Sequence, residues 1–187
     1  MSRSDNPINT QQQREHELLA LWYYRHPEVQ AARDAVRSYW LELADPSPAM
    51  RGCFEQAFDE VMFGATIWAL NQDPLYPKVI TISRVPHSLQ GEQIPGSRWG
   101  IDNPDSIYRV IPVSGGERYV IRGRVAEQRL VENYFTLWDP NMQTVGLLDG
   151  KDLVVDDDGR FEITVDGEPA NGRRNHIQST AEAHEFY

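Results

Sequence analysis

The 187 residues suffice for one sizeable core or a core with a small satellite, and 40% hydrophobic with 25% charged residues is an ordinary globular balance. The net charge of −10 argues against nucleic acid, whose phosphates need clustered Lys and Arg, and equally against an anionic membrane surface. The single cysteine, Cys53, excludes an intramolecular disulfide. With a polar N-terminus lacking an apolar h-region, and no apolar run long enough to span a bilayer, it points to a cytoplasmic protein without a signal peptide.

Residues 1–9 are small, polar and broken by Pro7, and read as a flexible arm. A first helix is predicted over 10–25. Thr10 is its N-cap, Gln13 stands at the reciprocal capping-box position, and Leu18, Leu19 and Trp22 form its apolar face. Pro27 suits the first turn of a second helix, over 28–44, whose face is Val29, Ala32, Val36, Tyr39, Trp40 and Leu43. Ser47-Pro48 opens a third helix over 48–71. Its stripe is Met50, Phe54, Ala57, Phe58, Val61, Met62, Ala65 and Trp68, a pattern that suits core packing better than a cofactor box. Short breaks between the three predict an antiparallel helical layer over 10–77.

Past Pro77 the period changes from 3.6 to 2. Strands are predicted at 79–83, 107–113, 118–125, 133–138, 153–155 and 161–165, with a long irregular connection over 86–106. The closing AEAHEFY reads as the start of a further strand, one left for a partner chain to complete. The expected fold is α+β: an N-terminal helical layer followed by an antiparallel β-sandwich or jelly-roll-like region over 78–187.

The stretch WGIDNPDSIYRVIPVSGGERYVIRGRV, residues 99–125, carries Gly100, Asp102, Asn103, Pro104, Asp105, Tyr108, Arg122 and Gly123. In these residues, and in the later acidic LLDGKDLVVDDDGRFEI, the chain resembles bacterial proteins carrying the domain of unknown function 1214, over residues 90–187. The resemblance implies a β-rich jelly-roll fold. It also implies an association with breakdown of lipids, steroids or aromatic compounds, without specifying a reaction.

Asp102 and Asp105 are close enough to act as an acid/base pair if their environments differ, and His87 in the irregular connection is the lone general-base candidate. Trp99, Asn103, Tyr108, Arg109 and, from the resemblance, Arg122 would orient a ligand. The competing reading is structural: Asx turns before proline with Arg109 pinning them by an ion pair. His176, Glu182 and His184 lack any recognised zinc spacing, and Asp156-Asp157-Asp158-Gly159 reads as a hairpin turn rather than a calcium loop. No metal and no cofactor are expected. Cys53, within a helix, is expected to be buried and structural.

Two functions fit. One is binding or catabolic processing of a small apolar or aromatic ligand. The other is an assembly module that completes its sheet or site with a partner chain. The surplus of large apolar residues on the helices favours a homo-oligomer, most simply a homodimer, in either case.

Overall fold

The computed structural model describes residues 8–99, 103, 105–125 and 132–187, so most of the predicted arm lies outside it. The chain divides into two compact units. One comprises residues up to 72 together with 78–109; the other comprises 73–77 and 110–187. An N-terminal helical layer followed by mostly antiparallel sheets gives the α+β arrangement expected from the change of period.

Helices α1 (Gln11–Tyr24), α2 (Pro27–Ala44) and α3 (Pro48–Ala69) begin where the capping residues dictate. The Thr10 side chain accepts from the Gln13 backbone N–H at 3.0 Å, and Ser47 accepts from that of Met50. Pro27 and Pro48 occupy first-turn positions, where no backbone N–H is missed.

The faces these helices bury differ from the predicted ones. On α1 the inward residues are Gln13, His16, Glu17, Ala20, Leu21 and Tyr24, while Leu19 and Trp22 are exposed. On α3 the buried residues are Phe58, which belongs to the predicted stripe, and Glu60, Phe63, Gly64 and Ile67, which are offset from it. Helix α2 buries no residue. It is fastened to α3 by the Arg33–Asp59 ion pair at 2.5 Å, by Arg37–Glu55, and by the Trp40 ring edge-on to Phe58 at 5.4 Å. Cys53, predicted buried, is exposed on α3.

Residues 78–109 belong with the helices rather than with the β region. In β1 (Ile80–Thr81), the Thr81 N–H and C=O are both taken by the Gln13 side-chain amide, at 2.8 and 2.9 Å. Gln13 therefore pairs with this strand instead of closing the capping box. The predicted irregular connection contains a hairpin, β2 (His87–Leu89) with β3 (Glu92–Ile94), whose tight turn places Gln90 and Gly91 at positive φ. Beyond it, Ser97 and Arg98 lie on α3. The Arg98 N–H donates to the Glu60 carbonyl at 3.0 Å, and Gly64 leaves room for Ser97.

The second unit contains β4 (Arg109–Pro112), β5 (Tyr119–Arg124), β6 (Tyr134–Trp138), β7 (Thr144–Asp149), β8 (Arg160–Asp166), β9 (His176–Gln178) and β10 (Glu185–Phe186). One row of neighbours is β4-β10-β6-β7; another sheet is β5-β8-β9. Pairing is antiparallel except between β8 and β9, which run parallel. Val113, Leu137, Ile163, Val165, Ile177 and Phe186 share one core drawn from both sheets.

Three strand expectations are corrected here. Residues 153–155 form no strand, and β7 and β9 were not predicted. The closing strand is not an open element: β10 lies between β4 and β6, paired on both sides, with Phe186 buried. The acidic segment turns without joining two strands, since β8 pairs with β5 and β9. Asp156 Oδ1 accepts the N–H groups of Asp158 and Arg160, and Gly159 takes φ +73°.

Candidate functional site

In the connection from Trp99 to Arg109, Asp102 falls outside the described residues. The Trp99 ring lies 4.5 Å from that of Trp68 on α3. Asn103 is fixed from four directions. Its N–H donates to the Tyr108 hydroxyl at 3.2 Å, and its Oδ1 accepts the Asp105 N–H at 3.0 Å. Its carbonyl accepts from Arg84 Nη2 at 2.7 Å and from the Ser106 N–H at 3.2 Å. Arg84 also stacks over the Tyr108 ring at 5.5 Å.

This is an Asx turn pinned by an arginine, which supports the structural reading of the motif. The pin, however, is Arg84 rather than Arg109. Arg109 is partly buried, and its guanidinium is held below its ordinary pKa by that burial. Asn103 and Tyr108 thus converge, Trp99 anchors on α3, and the Asp105 side chain is exposed. Arg122 lies in the other unit, on an exposed stretch of β5, where it forms a cross-strand ion pair with Glu162 at 2.9 Å.

His87 belongs to a polar cluster on α1. Its Nε2 is 3.2 Å from Oε2 of Glu17, which is buried, and its Nδ1 is 3.0 Å from the Val85 carbonyl. Glu17 also accepts from Gln13 Nε2 at 2.9 Å. A carbonyl only accepts, so Nδ1 carries a proton. Both ring nitrogens are engaged, leaving neither for a substrate proton. The geometry makes His87 a clamp between hairpin and helix rather than a presented base.

His16, the residue before Glu17 on α1, is almost fully buried, and its Nε2 lies 2.9 Å from the Ile67 carbonyl. Burial lowers its pKa below the ordinary 6.5, with the Ile67 bond opposing and the Lys78 charge assisting. At pH above 6.5 the ring is neutral in both folded and unfolded chains, so this contribution is fully present. Below 6.5 the unfolded chain takes up a proton that the folded chain refuses, and stability falls toward the depressed folded pKa. The expected slope is at most about 1.4 kcal/mol per pH unit. Urea unfolding at stepped pH checks this. His16→Gln, which keeps a donor for Ile67, should flatten the profile between pH 6.5 and 5.

Asp166 governs a separate, more acidic window. Arg173, bidentate on it at 2.6 and 3.1 Å, holds its pKa down to about 2, so its contribution is lost only as pH falls from about 4 through that value. His176 sits beside this pair, its Nε2 at 2.7 Å from the Glu168 carbonyl and its Nδ1 at 2.9 Å from Thr164 Oγ1. Among the described residues no group of three or more His, Cys, Asp or Glu is arranged to hold a metal ion.

Two open grooves flank α1. One, of about 420 Å³, is walled by Leu18, Leu21, Trp22, His26 and Pro27, and the Arg25–Glu92 ion pair at 2.8 Å lies on its rim. The other, of about 580 Å³, is lined by His16 and Lys78 with Gln11, Gln12, Glu15 and Leu19. The most exposed large apolar side chains of the helices include Leu43 on α2 at 71%, Met50 on α3 at 64% and Tyr39 on α2 at 60%.

No protein-family model matches the chain, and no curated protein matches it. In fold it is similar to the crystal structure of an uncharacterized protein from Burkholderia cenocepacia, with a TM-score of 0.66 and 19% identity. The alignment covers 92% of this chain and 46% of that one, so the chain spans about half the length of that protein. At such identity the likeness is one of fold alone.

Proposed function

We propose that the chain is an assembly module of the class it resembles, the domain of unknown function 1214, and that it works as a homo-oligomer through its helices. The observation that carries this reading is α2: 18 residues, none buried, with Tyr39 and Leu43 on one exposed face. Burying a side chain of that size is worth about 1.5–3 kcal/mol, so an outward face of this kind favours association. The loop residues offer less. Asn103, Tyr108 and His87 are committed to holding backbone and neighbouring side chains. With β10 paired on both sides, association rests on the helical face and not on completing a sheet.

The test uses Cys53, exposed on α3. A nitroxide there should show dipolar coupling between copies, and Leu43→Glu should abolish it. Absence of coupling in the unsubstituted chain contradicts the reading.

Binding or catabolic processing of a small apolar or aromatic ligand is the second reading, and the groove beside Trp22 favours it. A thermal-shift screen with steroids and aromatic acids should then find a stabiliser whose effect Trp22→Ala removes. A cytoplasmic location accompanies both readings, supported by the single cysteine. Among the described residues no helix is long and apolar enough to cross a membrane.

A further inference from the structure

The connection from β8 to β9 carries the one Asn-Gly pair of the chain, Asn171-Gly172. The Arg173 N–H donates to the Ala170 carbonyl at 2.9 Å, and the two residues between them lie at φ +48° and +84°. Positive φ at both central positions marks a type I′ turn, which Asn followed by Gly adopts most readily. Both residues are exposed, and a Cβ at Gly172 would meet nothing within 4 Å. Neither the Asn171 amide nor the Gly172 N–H has a hydrogen-bond partner among the described residues.

An asparagine side chain is open to attack by the backbone nitrogen that follows it. Two things slow that attack: a side chain that crowds the nitrogen, and a hydrogen bond that occupies it. Gly172 has neither. Asn141 is also exposed, but it precedes Met142, whose N–H donates to the Asp139 carbonyl at 3.0 Å. The Asn175 amide is committed to the Val154 and Glu162 carbonyls at 2.8 and 3.0 Å, and Asn103 precedes Pro104, which has no N–H. Ring closure requires Asn171 to leave its left-handed well. In an exposed turn, that opening gives up a single backbone hydrogen bond, Arg173 to Ala170.

We propose that Asn171 is a site of spontaneous deamidation that resets the loop braced by Arg173. The Gly172 nitrogen loses its proton to solvent and bonds to Asn171 Cγ. The Cγ–Nδ2 bond breaks, and the amide leaves as ammonia, taking a proton from water. The five-membered imide then takes up one water. Opening at Cγ gives aspartate; opening at the backbone carbonyl carbon gives isoaspartate, with the chain rerouted through the side chain. Either product adds one negative charge, and isoaspartate also adds a methylene to the main chain between Ala170 and Arg173. The Arg173 guanidinium spans this loop, reaching the carbonyls of Glu168, Pro169 and Ala170 as well as the Asp166 carboxylate. A longer main chain with a new carboxylate two residues away draws those acceptors off the planar fork. The modification is independent of the α2 face, and either can fail without the other.

The test is to age the full chain at 37 °C and pH 8.5, digest it with trypsin, and sequence the peptide 161–173 by electron-transfer fragmentation. Isoaspartate should accumulate at position 171 with release of ammonia, and faster than at pH 6, where fewer amide nitrogens are deprotonated. Asn141 should stay intact over the same period. Asn171→Gln should abolish the change, because the six-membered ring it would need closes far more slowly. Hydrogen exchange of the amides over 167–173 should quicken in the aged chain and not in aged Asn171→Gln. A folded chain that keeps Asn171 intact, whether or not the same chain in urea converts it, overturns the proposal. Conversion of Asn141 at an equal rate overturns it too, and unchanged exchange in the converted chain overturns the effect assigned to Arg173.

Discussion

Phe63→Ala should destabilise the helical unit by about 3–5 kcal/mol, the cost of truncating a fully buried aromatic and leaving a cavity. The ring packs edge-on against Tyr24 at 5.7 Å and 78°. The Tyr24 hydroxyl in turn donates to Asp59 at 3.0 Å and receives Arg33 Nε at 3.3 Å. Burial is the main reason that phenol's pKa is pushed up to about 12. Losing Phe63 therefore removes apolar contact and loosens the anchor that ties α1 and α2 to α3. Urea unfolding followed by far-UV dichroism reads the effect. The surface substitution Tyr39→Ala, on the outward face of α2, should stay within about 0.5 kcal/mol in dilute solution. Equal losses for the two would contradict the assigned core.

Gly115→Val should cost the β unit about 3 kcal/mol or more. A Cβ at Gly115 would stand 2.0 Å from the Thr180 carbonyl oxygen and 2.8 Å from two backbone carbons of Ala181. Both neighbours are main chain, in the segment that leads to the buried β10, and neither can swing aside as a side chain would. Gly116 is the internal control. A Cβ there meets nothing within 4 Å, so Gly116→Ala should be neutral or slightly stabilising. Thermal unfolding of the two variants side by side checks the contrast. A tolerated Gly115→Val would mean that the 115–181 approach is wrong.

The helices were legible because their start signals are local. Thr10, Pro27 and Ser47-Pro48 act within a few residues of themselves. Which face turns inward was less legible, because it depends on what arrives from elsewhere. Gln13 and Glu17 look like solvent-facing positions until the Thr81 backbone and His87 come to meet them from some 70 residues away. Spacing alone does show that 13, 17, 20, 21 and 24 share one face of a helix. The apolar residues Leu19 and Trp22 drew the reading around the cylinder.

Residues 87–94 look irregular in the sequence because three Pro and three Gly punctuate 86–106, and Gln90-Gly91 is a less familiar hairpin turn than Asn-Gly. At β9, the three residues His176–Gln178 are too few to show a period. In the 99–109 loop the Asx turn was visible in the sequence, but its pin was not. Nothing local distinguishes Arg84 from Arg109; only the fold brings Arg84 over Tyr108.

The outward face of α2 carries the proposed association, and sedimentation equilibrium tests it most directly. At micromolar concentrations the unsubstituted chain should show concentration-dependent association above the 21.5 kDa of one copy. Leu43→Glu should return it to a single species of that mass. A lone 21.5 kDa species at every concentration, identical in the two proteins, would contradict the account.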